Sequence, residues 1–526
     1  RDLHLCDRRQ RQMCIRDRNI YVERVRANVK RQALYCDMLG SARWVGELAQ
    51  RYPAREITPL TPWFANISIH DVEITGCSTL VDVSALPEKP VKNFFFGNVK
   101  AHCDRIGKIC DATKFSMKDV RIESCDTVMR IDNCDYASFF GFSNVTTGSS
   151  VKIEKTGGEC RYLNVQTYPL VPVNYQSIRP GEVWLDTEGK PIQAHGFQVT
   201  FREGKYYWYG EDKTHTLFGT NRMFGGVRCY SSTDFYNWKD EGRIIEPAAD
   251  PHSPLHHCQK LERPHILYCA KTGRYVCWLK SQSNDGHFVI LEAEHFMGPY
   301  HFVRNLKPNG FAVGDFDMYA DPDTGKGYVW FERPHWEQIC AELSDDYTNV
   351  NGRYSEHFVG KVPPFTREAA AHFVMDGKHY IYTSGTTSYT PNPSEVAVFD
   401  DYHGEYTVLG NPHIGDEYAH SFCSQITSVI KIPGKDLYVA MADRWLPHTN
   451  KTDIPKKDWQ SFLTRYKDHR PYPKDFATPK VADRFYTLVN PNQDVYKATY
   501  VFLPIVVKDG IPMIEWKDEW KLENYE

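Results

Sequence analysis

The chain has 526 residues, of which 41% are hydrophobic and 25% charged, and its formal net charge is −4. That length exceeds one ordinary core and predicts at least two domains, while the near balance of charge excludes a basic nucleic-acid-binding surface as its main feature. No apolar run is long enough for a membrane-spanning helix.

The first stretch, Arg1 to Arg18, is basic and aperiodic, and Arg11-Gln12-Met13-Cys14-Ile15-Arg16-Asp17-Arg18 resembles translated sequencing-adapter read-through. It is set aside as a non-native leader, which places the natural start, and any secretion signal with it, outside this sequence. From residue 19 to 172, short β-rich runs alternate with polar corners. Phe64–Ile74, Val91–Val99 and Ala112–Ile122 share an Asp/Asn-Val corner at Val72, Val99 and Val120, and a fourth falls at Val145. A period of roughly twenty to twenty-seven residues marks a solenoid, each coil burying its apolar face on the next. Strand-rich coils predict a right-handed parallel β-helix. The stretch resembles the C-terminal coils of glycoside hydrolase family 28, without that family's paired Asp, Gly-His-Gly and Arg-Ile-Lys motifs. A truncated β-helix with no pectin-cleaving activity is the expectation.

From residue 173 to 526 the texture changes to hairpins in units of roughly fifty to sixty residues. Their turns carry Gly: Glu203-Gly204, Thr272-Gly273, Thr324-Gly325, Asp376-Gly377 and Pro433-Gly434. Five units of short antiparallel strands predict a five-bladed β-propeller, which removes exposed edges by radial repetition. Tyr500–Val507 and Met513–Trp516 are expected to close the last blade, and Lys451 to Lys480 to form a surface excursion. The fold class is all-β. Aromatics make up 14% of the chain; Trp208, Trp278 and Trp330 lie inside β runs and are assigned to blade packing, whereas Tyr389 is a candidate for stacking on sugar.

In a propeller the first strand of every blade lines the axis, so residues that open successive units meet at one end. Glu262, Asp315, Glu368 and Gln425 all stand at such openings. Each alone reads as a solvated corner; four in register point to one pocket. The stretch from Pro191 to Leu446 resembles glycoside hydrolase family 43, in its branch of exo-β-1,3-galactanases. The marks are Ala194-His195-Gly196, Tyr207-Trp208-Tyr209-Gly210-Glu211, Glu262-Arg263-Pro264, Asp315, Glu368-Ala369, Ser424-Gln425 and Asp443-Arg444-Trp445.

The resemblance implies a glycosidase in which Glu368 is the general acid and Asp315 raises its pKa, with Asp317 a competitor for that task. The branch lacks the usual Asp base, and here the position reads Gln193-Ala194-His195-Gly196; the resemblance gives Gln425 the attacking water. Glu211 and Glu262 are expected to accept hydrogen bonds from sugar hydroxyls. For Glu262 the bland reading is a structural pair with Arg263. His195 is placed with the substrate-binding residues, and is otherwise a core histidine or a ligand of a channel ion. No cofactor is required, and calcium at the axis is an option the resemblance allows.

The expected substrate is an oligo- or polysaccharide, foremost β-1,3-galactan of plant arabinogalactan. An α-L-arabinofuranosidase and a non-catalytic carbohydrate-binding propeller are the alternatives. A periplasmic or extracellular location is implied by the family alone. The 15 cysteines show no CxxC pair and no zinc-like Cys/His spacing, and many sit in apolar β runs as buried thiols.

Overall fold

The computed structural model describes residues 18–445 and 495–526, apart from short breaks at 60, 162, 169–171, 215, 217–222, 283–285, 362–364, 388 and 390. Residues 1–17 of the leader and the Lys451–Lys480 stretch lie outside the described residues, and Arg18, set aside with the leader, opens the first strand. The chain divides into two compact units, with the change from one to the other between Val173 and Asn174. Among the described residues no helix is long and apolar enough to cross a membrane.

The first unit is a ladder of parallel strands. Arg18–Asn28 pairs with Ala65–Ser84, which pairs with the long run Val91–Glu123, which in turn pairs with Val128–Asp135 and Ser138–Asn144. The polar corners recognised in the sequence have a backbone cause. Asn66, Asp71, Asn93, Asn98, Asp111 and Asn133 all adopt positive φ, a region Asn and Asp tolerate better than other side chains. They also stack from coil to coil: Asn93 Nδ2 donates to Asn66 Oδ1 at 2.8 Å, and Asn98 Nδ2 to Asp71 Oδ1 at 2.6 Å. Val72 lies opposite Val99 as the repeat requires, but Val120 lies opposite Phe142. Val145 is therefore not the fourth corner; it follows its strand and is 53% exposed, while Phe142 fills the inward position.

The second unit is five sheets around an axis, antiparallel except for the short strand His413–Ile414, which joins the fifth in parallel. Blade one runs His195–Arg202, Lys205–Glu211, Val227–Ser232 and Lys239–Ile245. Blade two runs Leu261–Cys269, Arg274–Ser281, His287–Ala293 and His301–Leu306, and blade three Phe316–Ala320, Gly327–Glu332, Gln338–Leu343 and Val350–His357. Blade four comprises Arg367–Met375, Lys378–Gly385, Glu395–Phe399 and Thr407–Gly410. Blade five comprises Gln425–Lys431, Tyr438–Arg444, Thr499–Lys508 and Ile511–Glu515, so the C-terminal strand pair closes it as expected.

Five apolar clusters join successive blades, and the ring is closed because one of them packs blade five on blade one. Phe197, Trp208 and Trp238 there meet Met441, Tyr500 and Phe502. The others link one to two through Cys229 and Leu279, two to three through Trp278 and Phe316, three to four through Trp330 and Ile381, and four to five through Tyr382 and Val501. Trp208, Trp278 and Trp330 are fully buried at these seams, which is the packing role assigned to them. Cys229, Cys269, Cys277 and Cys340 are buried free thiols in the same seams.

Candidate active site

The innermost strands carry their polar residues at the end where each strand starts, and a local backbone device turns those residues. The strand register slips between His195 and Gln198, between Glu262 and His265, and between Glu368 and Ala371. At each slip one residue adopts positive φ: Gly196, Arg263 and Ala369. Such bulges re-aim a side chain at the rim of a sheet. At Gly196 the demand is also steric, since a Cβ there would stand 2.3 Å from Glu211 Oε1.

Arg263 is the hub of the resulting network. Its backbone N–H donates to Glu211 Oε1 at 2.9 Å in blade one, and its Nη2 pairs with Asp315 Oδ2 at 2.8 Å in blade three. The same nitrogen donates to Gln425 Oε1 at 2.7 Å, and Nη1 to Thr427 Oγ1 at 3.1 Å, both in blade five. A second buried cation, Lys280, lies 2.6 Å from both Glu262 Oε2 and Asp315 Oδ1. A third, Lys213, is 2.5 Å from Glu211 Oε2. Glu262 thus pairs with Lys280 and accepts from Gln282 Nε2 at 2.8 Å. The alternative Glu262–Arg263 pair does not form, because the bulge sends the two side chains to different partners.

Gln425 uses both ends of its amide. Its Oε1 also accepts from Trp445 Nε1 at 3.1 Å; its Nε2 donates to Ser384 Oγ at 3.0 Å and to Glu368 Oε1 at 3.3 Å. Gln425, Ser384, Tyr389, Asn392, Asp443 and Trp445 line one pocket. Tyr389 meets Trp445 edge-on with ring centroids 5.2 Å apart.

The charges divide the carboxyls into two classes. Burial raises the pKa of Glu368 well above the usual carboxylate range; the negative charges of Asp315 and Glu332 push it further, against the opposing pull of Lys280 and Arg263. Burial also pushes Asp315 and Glu262 upward, but their cations win. Arg263 and Lys280 hold Asp315 below its ordinary value, and Lys280 and Lys260 do the same for Glu262. Glu211 is raised, by burial first and by the Glu262 charge, with Lys213 pulling the other way. Glu332, which the sequence did not single out, is pushed up to about 7 by burial and the Asp315 charge, while the His335 N–H works against them. A carboxyl whose pKa is raised therefore stands beside an anion that is fixed by two cations, the arrangement acid catalysis needs.

Asp315 and Asp317 are distinguished by their surroundings. Asp317 accepts from the His372 and Met318 backbone N–H groups at 2.6 and 2.8 Å and lies 3.2 Å from His265 Nδ1, so it ties the inner strands of blades three and four together. Of these two aspartates, Asp315 is the one that contacts the Arg263–Lys280 clamp. His195 is fully buried: Nδ1 lies 3.1 Å from Asp443 Oδ1, Nε2 lies 3.3 Å from Gln193 Oε1, and the ring stacks on Tyr500. It meets the pocket through Asp443, whose other oxygen accepts from Gly196 N at 2.8 Å.

These surroundings do not fit calcium, which takes 6–8 oxygen ligands. Around the axis Gln198 presents its amide nitrogen, 3.5 Å from His265 Nε2 and from Asp317 Oδ1, and the His195 donors are nitrogens already engaged. Among the described residues the three-residue cluster that could hold an ion is His256, His257 and Cys258, a nitrogen and sulfur set on the connection leading into blade two.

Residues 197–428 match the family model for glycosyl hydrolases family 43. That match falls within the propeller. Among solved structures it is similar to a family 43 β-1,3-galactosidase at 27% identity and a TM-score of 0.54, covering 67% of this chain and 65% of that one. A second β-1,3-galactosidase, solved with galactodeoxynojirimycin, is 26% identical with a TM-score of 0.53, and the match covers 66% of this chain and 100% of the other. An exo-β-1,3-galactanase from Phanerochaete chrysosporium shares the fold at 22% identity and a TM-score of 0.52, with 66% and 68% of the two chains covered. No curated protein matches by sequence. The family match begins beyond the parallel strands of the first unit, and nothing in it bears on the family 28 resemblance there.

Proposed function

We propose that the family 43 domain is an inverting, exo-acting β-galactosidase that removes galactose from β-1,3-linked galactan of the plant arabinogalactan type. The observation that carries this reading is Glu368, a carboxyl with a raised pKa that accepts from Gln425 at the start of its inner strand, with the clamped anion Asp315 acting on it. The likeness to two β-1,3-galactosidases supports the sugar and the linkage.

In this mechanism Glu368 donates its proton to the glycosidic oxygen as the bond breaks, and water attacks the anomeric carbon from the opposite face. Asp315 keeps Glu368 protonated until that moment and stays ionised itself because Arg263 and Lys280 flank it. Gln425 positions the water. Of its four contacts the 3.3 Å one to Glu368 is the longest, and it is the one that an entering sugar and water replace. Glu262 and Glu211, each anchored by a lysine, accept hydrogen bonds from sugar hydroxyls, and Tyr389 contributes an apolar wall beside Trp445. We assign the first unit to a partial parallel β-helix with no part in the cleavage.

One observation favours a second reading, a propeller that binds carbohydrate without cutting it. The blade-one position where a base would stand is Gln193, and the pocket's carboxylate Asp443 has both oxygens taken by His195 and Gly196. Digestion of β-1,3-galactan and of arabinan, with chromatography of the products, separates the readings. Galactose from the first supports the proposal, and arabinose from the second redirects it to an α-L-arabinofuranosidase. Binding without any monosaccharide product leaves the non-catalytic reading.

A further inference from the structure

Singly exposed apolar residues are ordinary on protein surfaces, so an exposed ring needs a second reason before it means anything. The exposed aromatic side chains of the propeller are Phe201, Tyr268, Phe302, Trp336 and Tyr354. Phe201 and Tyr268 lie at the ends of innermost strands remote from Glu368, and Phe302 and Tyr354 lie on outermost strands. Trp336, at 59% the most exposed of the five, stands on a loop at the end of the propeller that carries Glu368. Among the described residues it is the one that does.

That loop joins Gly327–Glu332 to Gln338–Leu343, and its root is part of the site. Glu332 N–H donates to the Asp315 carbonyl at 2.9 Å, and Gly314 N–H to the Glu332 carbonyl at 2.6 Å. The approach is close: a Cβ on Gly314 would stand 2.1 Å from Glu332 Oε2. The loop then folds on itself. His335 N–H donates to Glu332 Oε1 at 2.8 Å, Trp336 N–H to the Arg333 carbonyl at 2.8 Å, and Arg333 N–H to the Glu337 carbonyl at 2.9 Å. Four residues of chain cannot carry Trp336 farther than about 14 Å from Glu332, and the turn shortens that reach.

The indole is also anchored sideways. Arg333 sets its guanidinium 4.5 Å from the Trp336 ring and 5.3 Å from Phe311, and is itself paired with Glu337 at 2.8 Å. A cation–π contact of this kind holds the ring in place and leaves its remaining surface open to solvent. A rigid, exposed indole costs little further ordering when a flat apolar face arrives. Galactose presents such a face, because its axial hydroxyl leaves the C–H bonds on one side of the ring contiguous.

We propose that Trp336 is a stacking platform for a galactosyl residue beyond the one being released, a subsite that rests on the galactan reading of the pocket. The test uses the full chain with Glu368→Gln, so that ligands stay uncut, and titrates galactose and its β-1,3-linked dimer, trimer and tetramer by calorimetry. Affinity is expected to rise along the series, and Trp336→Ala to erase that rise, with a loss of about five- to tenfold for the longest ligand. Trp336→Tyr is expected to restore most of it, which a merely misfolded loop would not do. Equal affinity of Trp336→Ala and its parent for the tetraose overturns the proposal, as does an equal loss at every length or no binding by the parent at all. Galactose release by the wild-type chain is measured in parallel. Hydrolysis without a Trp336 length effect removes the subsite alone, and a length effect without hydrolysis removes the catalytic reading alone.

Discussion

Lys280→Met takes one cation from between two carboxylates and keeps most of the side chain's volume. Lys280 Nζ lies 2.6 Å from both Glu262 Oε2 and Asp315 Oδ1, and all three groups are buried. At an effective dielectric of about 20 each contact has a gross attraction of about 6 kcal/mol, much of it cancelled by the cost of removing the charges from water. Breaking a buried pair by deleting one partner costs about 3–5 kcal/mol, because the other charge is stranded. Here Asp315 retains Arg263 at 2.8 Å and Glu262 retains Lys260 at 3.5 Å, so the lower end of that range is expected. The assay is denaturant unfolding followed by tryptophan fluorescence at several pH values. Both carboxyls are held below their ordinary values, so the stabilisation is fully present above the unfolded carboxylate range near pH 4 and is lost as pH falls toward the depressed values. The wild-type advantage should be full at pH 7 and shrink below about pH 4. A difference under about 1 kcal/mol at pH 7, or one that grows on acidification, would refute the clamp.

Two further substitutions probe the proposed acid and its water. Glu368 must be protonated to act, so activity falls as pH rises through its pKa; Asp315→Asn removes a charge that raises that pKa and should move the alkaline limb of the kcat profile to lower pH. An unmoved limb, in enzyme still folded, would separate Asp315 from the tuning of Glu368. Gln425→Ala should lower kcat by about a hundredfold with a small change in KM, read by initial rates of galactose release; a KM effect alone would make Gln425 a sugar contact instead.

Much of the propeller was legible because its signals are local. Gly-containing turns and alternating β runs sit a few residues apart, and the blade openings at Glu262, Asp315, Glu368 and Gln425 follow from counting them. What was not legible depends on register across strands. Lys280 and Glu332 stand on second strands, in runs that read as ordinary core, and enter the site only because their strands pair beside Glu262 and Asp315. The partners of Arg263 were hidden for the same reason, since positive φ at a bulge breaks the alternation that sequence reasoning assumes. Asp443 reaches the blade-one wall from blade five, a contact created by ring closure and invisible in the linear spacing. In the first unit the polar corners were readable as Asn and Asp, whereas the last coil's length, set by Phe142 rather than Val145, was not.

The proposed cleavage depends on the proton of Glu368. Galactose release from β-1,3-galactan by Glu368→Gln, measured beside the wild type at its optimal pH, tests it most directly. The predicted result is a fall in kcat of about a hundredfold or more with polysaccharide binding retained. Full activity in the Gln variant would contradict the assignment of the acid, and with it the proposed mechanism of the pocket.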